Sequence, residues 1–162
     1  MNRIHSMLCF IATIAILVSF SVRAEEHKVS YPETYRSWQH VKSMVIEPGH
    51  PLENPFAGIH HVYANAKALK GLQSGNYPDG AVWVFDLLTG VHADHAFTEG
   101  KRKLVGVMER DSRKYAATGG WGFEGFAGDS KTQRLTTDGG QSCFACHQSV
   151  KNSNYVFSKL RP

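Results

Sequence analysis

Cysteine is scarce: three occur in 162 residues, and one of them, Cys9, lies in an apolar N-terminal segment. That count excludes a disulfide framework. It also excludes a zinc site built from three or four cysteines, because structural zinc needs four ligands, normally in two pairs. Charge of one sign is scarce as well, with 18 Lys and Arg against 14 Asp and Glu. The single basic run, Lys101-Arg102-Lys103, follows Thr98-Glu99-Gly100 and reads as a solvated turn. Nucleic acid and membrane are therefore not expected as partners. Internal repeats and low-complexity segments are missing, and no methionine follows His147.

The one long apolar run is at the start. Arg3 precedes an uncharged stretch from Met7 to Val18, and Val22-Arg23-Ala24 offers a cleavage site before Glu25. Residues 1–24 thus read as a secretory signal peptide. An uncleaved anchor is the alternative, but the uncharged stretch ends at Val22, short of the roughly 20 residues a spanning helix needs. Residues 25–162 are then expected as one exported domain. In a bacterial host its destination is the periplasm, where c-type haem is attached. Removal of Arg3 and Arg23 lowers the formal charge from +4 to +2.

What is present is Cys143-Phe144-Ala145-Cys146-His147. A C-x-x-C-H run is the attachment signature of a c-type haem. Two thiols one turn apart add to the two vinyl groups, and the next histidine lies beneath the iron. A structural disulfide or half a zinc site is the competing reading, and for the zinc site no H-x3–5-H pair follows the cysteines. A thioredoxin-like C-x-x-C opens a helix after a strand, whereas this one follows Asp138-Gly139-Gly140-Gln141-Ser142. One haem c is expected, held by Cys143 and Cys146 with His147 on the iron. Whatever faces the other side of the iron is expected from upstream of the motif.

The pattern between these ends is mainly β. Residues 25–30 read as a frayed polar terminus. Tyr31-Pro32-Glu33 opens a short helix carrying Tyr35 and Trp38, and 47–55, with three prolines, reads as a loop. Strands are expected over 59–63, 81–88, 103–109 and 120–126. A helix is expected over 65–73, ending near Gly75, and a helical turn over 111–117. Alternation over 81–88 puts Trp83, Phe85 and Leu87 on one face and Val84 and Asp86 on the other. The glycines of 120–126 point to close approach of a bulky group, such as a haem plane. The expected fold class is α+β, mainly β: an antiparallel sheet with a few short helices and a C-terminal haem attachment segment. Small electron-transfer cytochromes, with an N-terminal motif and a downstream methionine, and four-helix cytochromes c-prime both fit poorly.

Of the polar candidates, His60-His61 sit next to each other on a strand and face opposite sides, so both cannot reach one iron. His92-x-x-His95 is at most a weak metal pair without a third ligand. Arg113, Arg134 or a lysine is a candidate partner for the haem propionates. Asp138 reads as a turn former with Gly139-Gly140, with a carboxylate near the pocket as the alternative.

Three segments together resemble the cytochrome P-460 family: Tyr77-Pro78-Asp79-Gly80 leading into a strand, Gly119-Gly120-Trp121-Gly122-Phe123-Glu124-Gly125-Phe126, and the Cys143 to His147 motif followed by Asn154-Tyr155-Val156-Phe157-Ser158. The resemblance implies a largely antiparallel sheet, a c-haem with histidine on one side, and a homodimer. It also implies a choice between two branches. The enzymatic branch oxidises hydroxylamine and links its haem to a lysine. Aligned through Asp79-Gly80, that position falls on Phe85, and the nearest lysines in sequence, Lys70 and Lys101, lie outside the strand. The chain is thus similar to the cytochrome c′-β (c-prime-beta) branch, in which phenylalanines cap the vacant iron site. By the same resemblance Phe56 is the second cap.

An apolar pocket without a hydrogen-bond donor does little for bound dioxygen and tolerates nitric oxide and carbon monoxide. The expected protein is a five-coordinate haem protein rather than an enzyme. It binds nitric oxide and carbon monoxide in scavenging, sensing or transport, with a redox partner that the sequence does not name. Hydroxylamine or nitric oxide oxidation and plain electron transfer are the alternatives.

Overall fold

A meander of five strands organises the chain. In the computed structural model, which describes residues 28–160, β1 (Gln39–Ile46), β2 (Gly58–Ala64), β3 (Val82–Ala93), β4 (Ala96–Arg110) and β5 (Trp121–Ala127) pair antiparallel in sequence order. The short helices are α1 (Glu53–Phe56), α2 (Ala66–Ser74) and α3 (Gln141–His147), joined by 3-10 segments at Tyr35–Ser37, Ala116–Thr118 and Gln148–Ser153. The expected α+β, mainly β class is the one observed. The expected export signal over 1–24 lies outside the described residues.

The pleat of β3 separates two layers. Ala64, Trp83, Met108 and Phe123 form one row across four strands, and Val62, Phe85, Gly106 and Gly125 form the next. On this face Trp83, Met108, Trp121 and Phe123 join Tyr77 and Val156 in an apolar cluster, against which Cys143, Phe144 and Tyr155 pack. On the other face Tyr35, Val84, Val105, Val107, Tyr115 and Phe126 form a second cluster. The haem motif is thus delivered to one known side of the sheet.

Local chemistry explains α2. Asn65 accepts from the Ala68 amide at 2.8 Å and the Val82 amide at 3.1 Å, and donates to the Gly80 carbonyl at 2.9 Å. One side chain therefore caps the helix and ties it to the start of β3. Gly75, at φ 75°, ends it in the left-handed conformation. Asn65→Ala is expected to cost about 1 kcal/mol or slightly more, measured as a lower midpoint of urea unfolding.

Several expectations need correction. Residues 28–30 are not frayed: Val29 is buried, and its carbonyl accepts from Arg134. The helix after Pro32 is a three-residue 3-10 turn that ends before Trp38. Strand β1 carried no sequence signal, because only Val41 and Ile46 of its eight residues are buried and its register shifts between His40 and Lys42. Strands β3 and β4 run past their expected ends to a two-residue turn at Asp94-His95, both at positive φ, as tight hairpins require. The run Lys101-Arg102-Lys103 is not a solvated turn but part of β4. Arg102 donates at 2.6 Å to the buried carboxylate of Asp86, which also accepts from the Tyr35 hydroxyl at 2.7 Å. Gly122 faces Tyr115 on the second layer; a Cβ there would lie 2.4 Å from that ring. Gly125, paired with Gly106, faces the motif's side.

Candidate haem site

The loop before α3 fixes where the helix begins. Asp138 accepts from the Gly140 amide at 2.9 Å and the Ser142 amide at 2.8 Å, and these N–H groups hold its carboxyl below the usual range. Its turn-forming role is the one observed. Gly140, at φ 84°, lies so close to β5 that a Cβ would stand 2.7 Å from the Phe123 carbonyl oxygen. The helix is thereby pressed onto the sheet. Cys143 and Cys146 are free thiols one helical turn apart, the first half-buried and the second exposed. Three-residue spacing puts both on one side of the helix.

His147 closes α3, and its ring is oriented from behind. Asn154 and Tyr155 adopt positive φ and turn the chain back, so that the Tyr155 carbonyl accepts from His147 Nδ1–H at 2.6 Å. A carbonyl only accepts, so Nδ1 carries the proton and Nε2 keeps its lone pair. A metal-binding histidine is commonly oriented in this way, with its other ring N–H given to a carbonyl. Burial lowers the His147 pKa, which favours the neutral ring. Phe123 and Phe157 flank it, each at 4.9 Å between ring centres.

Phe85 and Phe56 come together. The Phe85 ring lies over Gly106, where a Cβ would be only 2.1 Å from it. Phe56, at the end of α1, meets it edge to face at 5.9 Å and 67°. A third residue belongs to this group and was missed: His60. Buried at 4% exposure, it stacks on Phe85 at 5.5 Å and 12°, and its Nε2–H donates to the Phe56 carbonyl at 2.6 Å. Alternation signalled that one of His60-His61 turns inward, but not against what. His61 faces away, between Ser43 and Glu99.

Burial lowers the His60 pKa, its largest cause being desolvation. The folded state then binds fewer protons than the unfolded one. This contribution to stability is complete above the unfolded value of about 6.5 and is lost as pH falls through it towards the folded pKa. Unfolding midpoints at pH 8 and pH 5 should therefore differ more for the native protein than for His60→Phe. Equal differences would contradict the assignment.

A family model described as Cytochrome P460 matches residues 32–158. The chain belongs to the cytochrome P-460 family. As a P-460 cytochrome it is a haem-binding protein, and the match spans all five strands and the motif. None of the curated proteins compared with it matches the chain.

The side chains of this P-460 cytochrome fit a haem. Nε2 of His147 has no hydrogen-bond partner among the described residues, two thiols stand beside it, and aromatic rings line its surroundings. Three buried donors in the same layer are also unpartnered: Trp83 Nε1, Trp121 Nε1 and Arg110 Nε, with the Arg110 guanidinium 5.5 Å from the Trp121 ring centre. Arg134 is not free for a propionate. It lies on the other layer, donating to Glu124 at 2.7 Å and to the Val29 carbonyl at 2.8 Å. Arg113 is exposed. Among the described residues no group of three or more His, Cys, Asp or Glu side chains could hold a metal ion. His92-x-x-His95 accordingly finds no third ligand, and His92 instead packs on Phe97 at 4.4 Å.

Proposed function

We propose that the chain is an exported, homodimeric mono-haem c-type cytochrome of the c′-β branch that binds nitric oxide and carbon monoxide, in scavenging, sensing or transport of nitric oxide. Cys143 and Cys146 would hold the porphyrin through thioethers, and His147 would bind the iron through Nε2. Phe85 and Phe56, which touch each other, would cap the place where a small ligand binds. When bound, the haem would supply an iron with a position open to a small ligand.

The chain's residues define what that position favours. The observation that carries the reading is the Phe56–Phe85 contact backed by His60. The imidazole nearest the cap spends its N–H on the Phe56 carbonyl and offers no donor to a bound ligand. A pocket so lined does not stabilise a polar dioxygen adduct and admits ligands that do without a donor. The nearby lysine, Lys103, is likewise hydrogen-bonded to backbone carbonyls, and the position aligned with the enzymatic branch's lysine is Phe85. Both points favour gas binding over hydroxylamine oxidation.

Titration of the ferrous protein with nitric oxide and carbon monoxide, followed by visible spectroscopy, tests this directly. Saturable changes with both gases and no stable dioxygen form are expected. A haem peptide that carries a trapped lysine by mass spectrometry, with turnover of hydroxylamine, would overturn it. Fractionation of the host, the mass of the mature chain and light scattering test export, cleavage and the dimer.

A further inference from the structure

The Phe56 backbone is held at three successive carbonyls. Lys103 Nζ donates to the Pro55 carbonyl at 2.7 Å and to the Ala57 carbonyl at 2.8 Å, and His60 Nε2 donates to the Phe56 carbonyl between them at 2.6 Å. Nothing local requires this. Lys103 is 46 to 48 residues away in sequence, on strand β4.

The sheet register explains how Lys103 gets there. Leu87 pairs with Leu104 and Leu88 with Arg102, so Lys103 is the extra residue of a bulge in β4. A bulge releases one side chain from strict alternation and re-aims it, and bulges gather beside functional sites. Arg102 on one flank turns to Asp86. Lys103 turns to the α1–β2 junction and ties it to the strand that carries Gly106, on which Phe85 rests. His60 completes the connection, since the ring that donates to Phe56 also stacks on Phe85.

We propose that Lys103 and His60 are positioning residues that set Phe56 against Phe85 and thereby control how fast a small ligand reaches the iron. The inference rests on the reading of Phe56 and Phe85 as a cap. Lys103 and His60 each act by fixing the backbone of one capping ring, and His60 also buttresses the face of the other.

Carbon monoxide association with the ferrous holoprotein, measured by stopped flow or flash photolysis, tests the proposal in a double-mutant cycle. Lys103→Met removes both donors at similar length, and His60→Phe keeps a ring for the stack but removes the donor. Each is expected to speed association about three- to tenfold, the equivalent in rate of one or two net hydrogen bonds. Lys103→Arg, which retains donors, should stay near the native rate. In a Phe56→Ala background Lys103→Met should add nothing, because a residue acting through Phe56 has nothing left to position.

Additive effects of Lys103→Met and Phe56→Ala, or a native rate in Lys103→Met while Phe56→Ala is fast, would overturn the positioning role and leave the cap intact. A native rate in Phe56→Ala would instead overturn the cap role of Phe56. Should Lys103→Met fail to accumulate, Lys103→Leu, which also lacks a donor, is read in the same way.

Discussion

A chain carrying Cys143→Ser and Cys146→Ser is expected to be isolated without covalently bound haem. Both thiols stand on one side of α3, beside the only imidazole of that helix, and that segment is pressed onto β5 by the Asp138-Gly139-Gly140 turn. No other cysteine lies among the described residues to take their place. Acid–acetone extraction followed by a pyridine haemochrome spectrum of the pellet reads the result. The native chain should retain all its haem in the protein fraction, each single serine variant a reduced amount, and the double variant none. Retention of covalent haem by the double variant would contradict the assignment of both thiols.

The second large effect is expected from Phe85→Ala. The Phe85 ring contacts Phe56 edge to face, stacks on His60 and lies over Gly106. Its removal therefore opens the cap and also strips the neighbours of their common support. Carbon monoxide association should rise by at least about tenfold, a barrier change of roughly 1.4 kcal/mol. A stability loss accompanies it, because the ring is half-buried core as well as lid. Full burial of such a side chain is worth about 1.5–3 kcal/mol. Phe85→Leu should fall between the two in rate. Dioxygen affinity should not improve, since neither substitution introduces a donor. An unchanged association rate in Phe85→Ala would remove this residue from the path of the ligand.

Different parts of this site were legible in the sequence to different degrees, for physical reasons. The haem motif is a local pattern, and local chemistry suffices to read it. Strand β3 is legible because its apolar and aromatic residues leave little room for another element, and its alternation correctly assigns Phe85 and Asp86 to opposite faces. The Phe56 assignment came from family resemblance, not from patterning. It gains support from the ring contact with Phe85, which joins residues 29 positions apart.

What stayed hidden is non-local or irregular. Strand β1 escapes because it is an edge with a bulge and mostly exposed side chains, so it lacks the period-2 pattern that marks a half-buried strand. Lys103 escapes for a similar reason. Its usefulness depends on a register shift that no composition window reports, and its partners are backbone carbonyls on a distant turn. His60 is intermediate, since pleating indicates that it turns inward but only the folded chain supplies Phe85 and the Phe56 carbonyl around it.

The central claim is that His147 binds the iron from one side while an apolar cap, and no protein ligand, occupies the other. The electron paramagnetic resonance spectrum of the ferric holoprotein at neutral pH tests it most directly. An axial high-spin signal, as from a five-coordinate iron with a single imidazole, is the predicted result. A rhombic low-spin signal, as from histidine paired with a second strong ligand such as Met44, Met108 or another histidine, would contradict it.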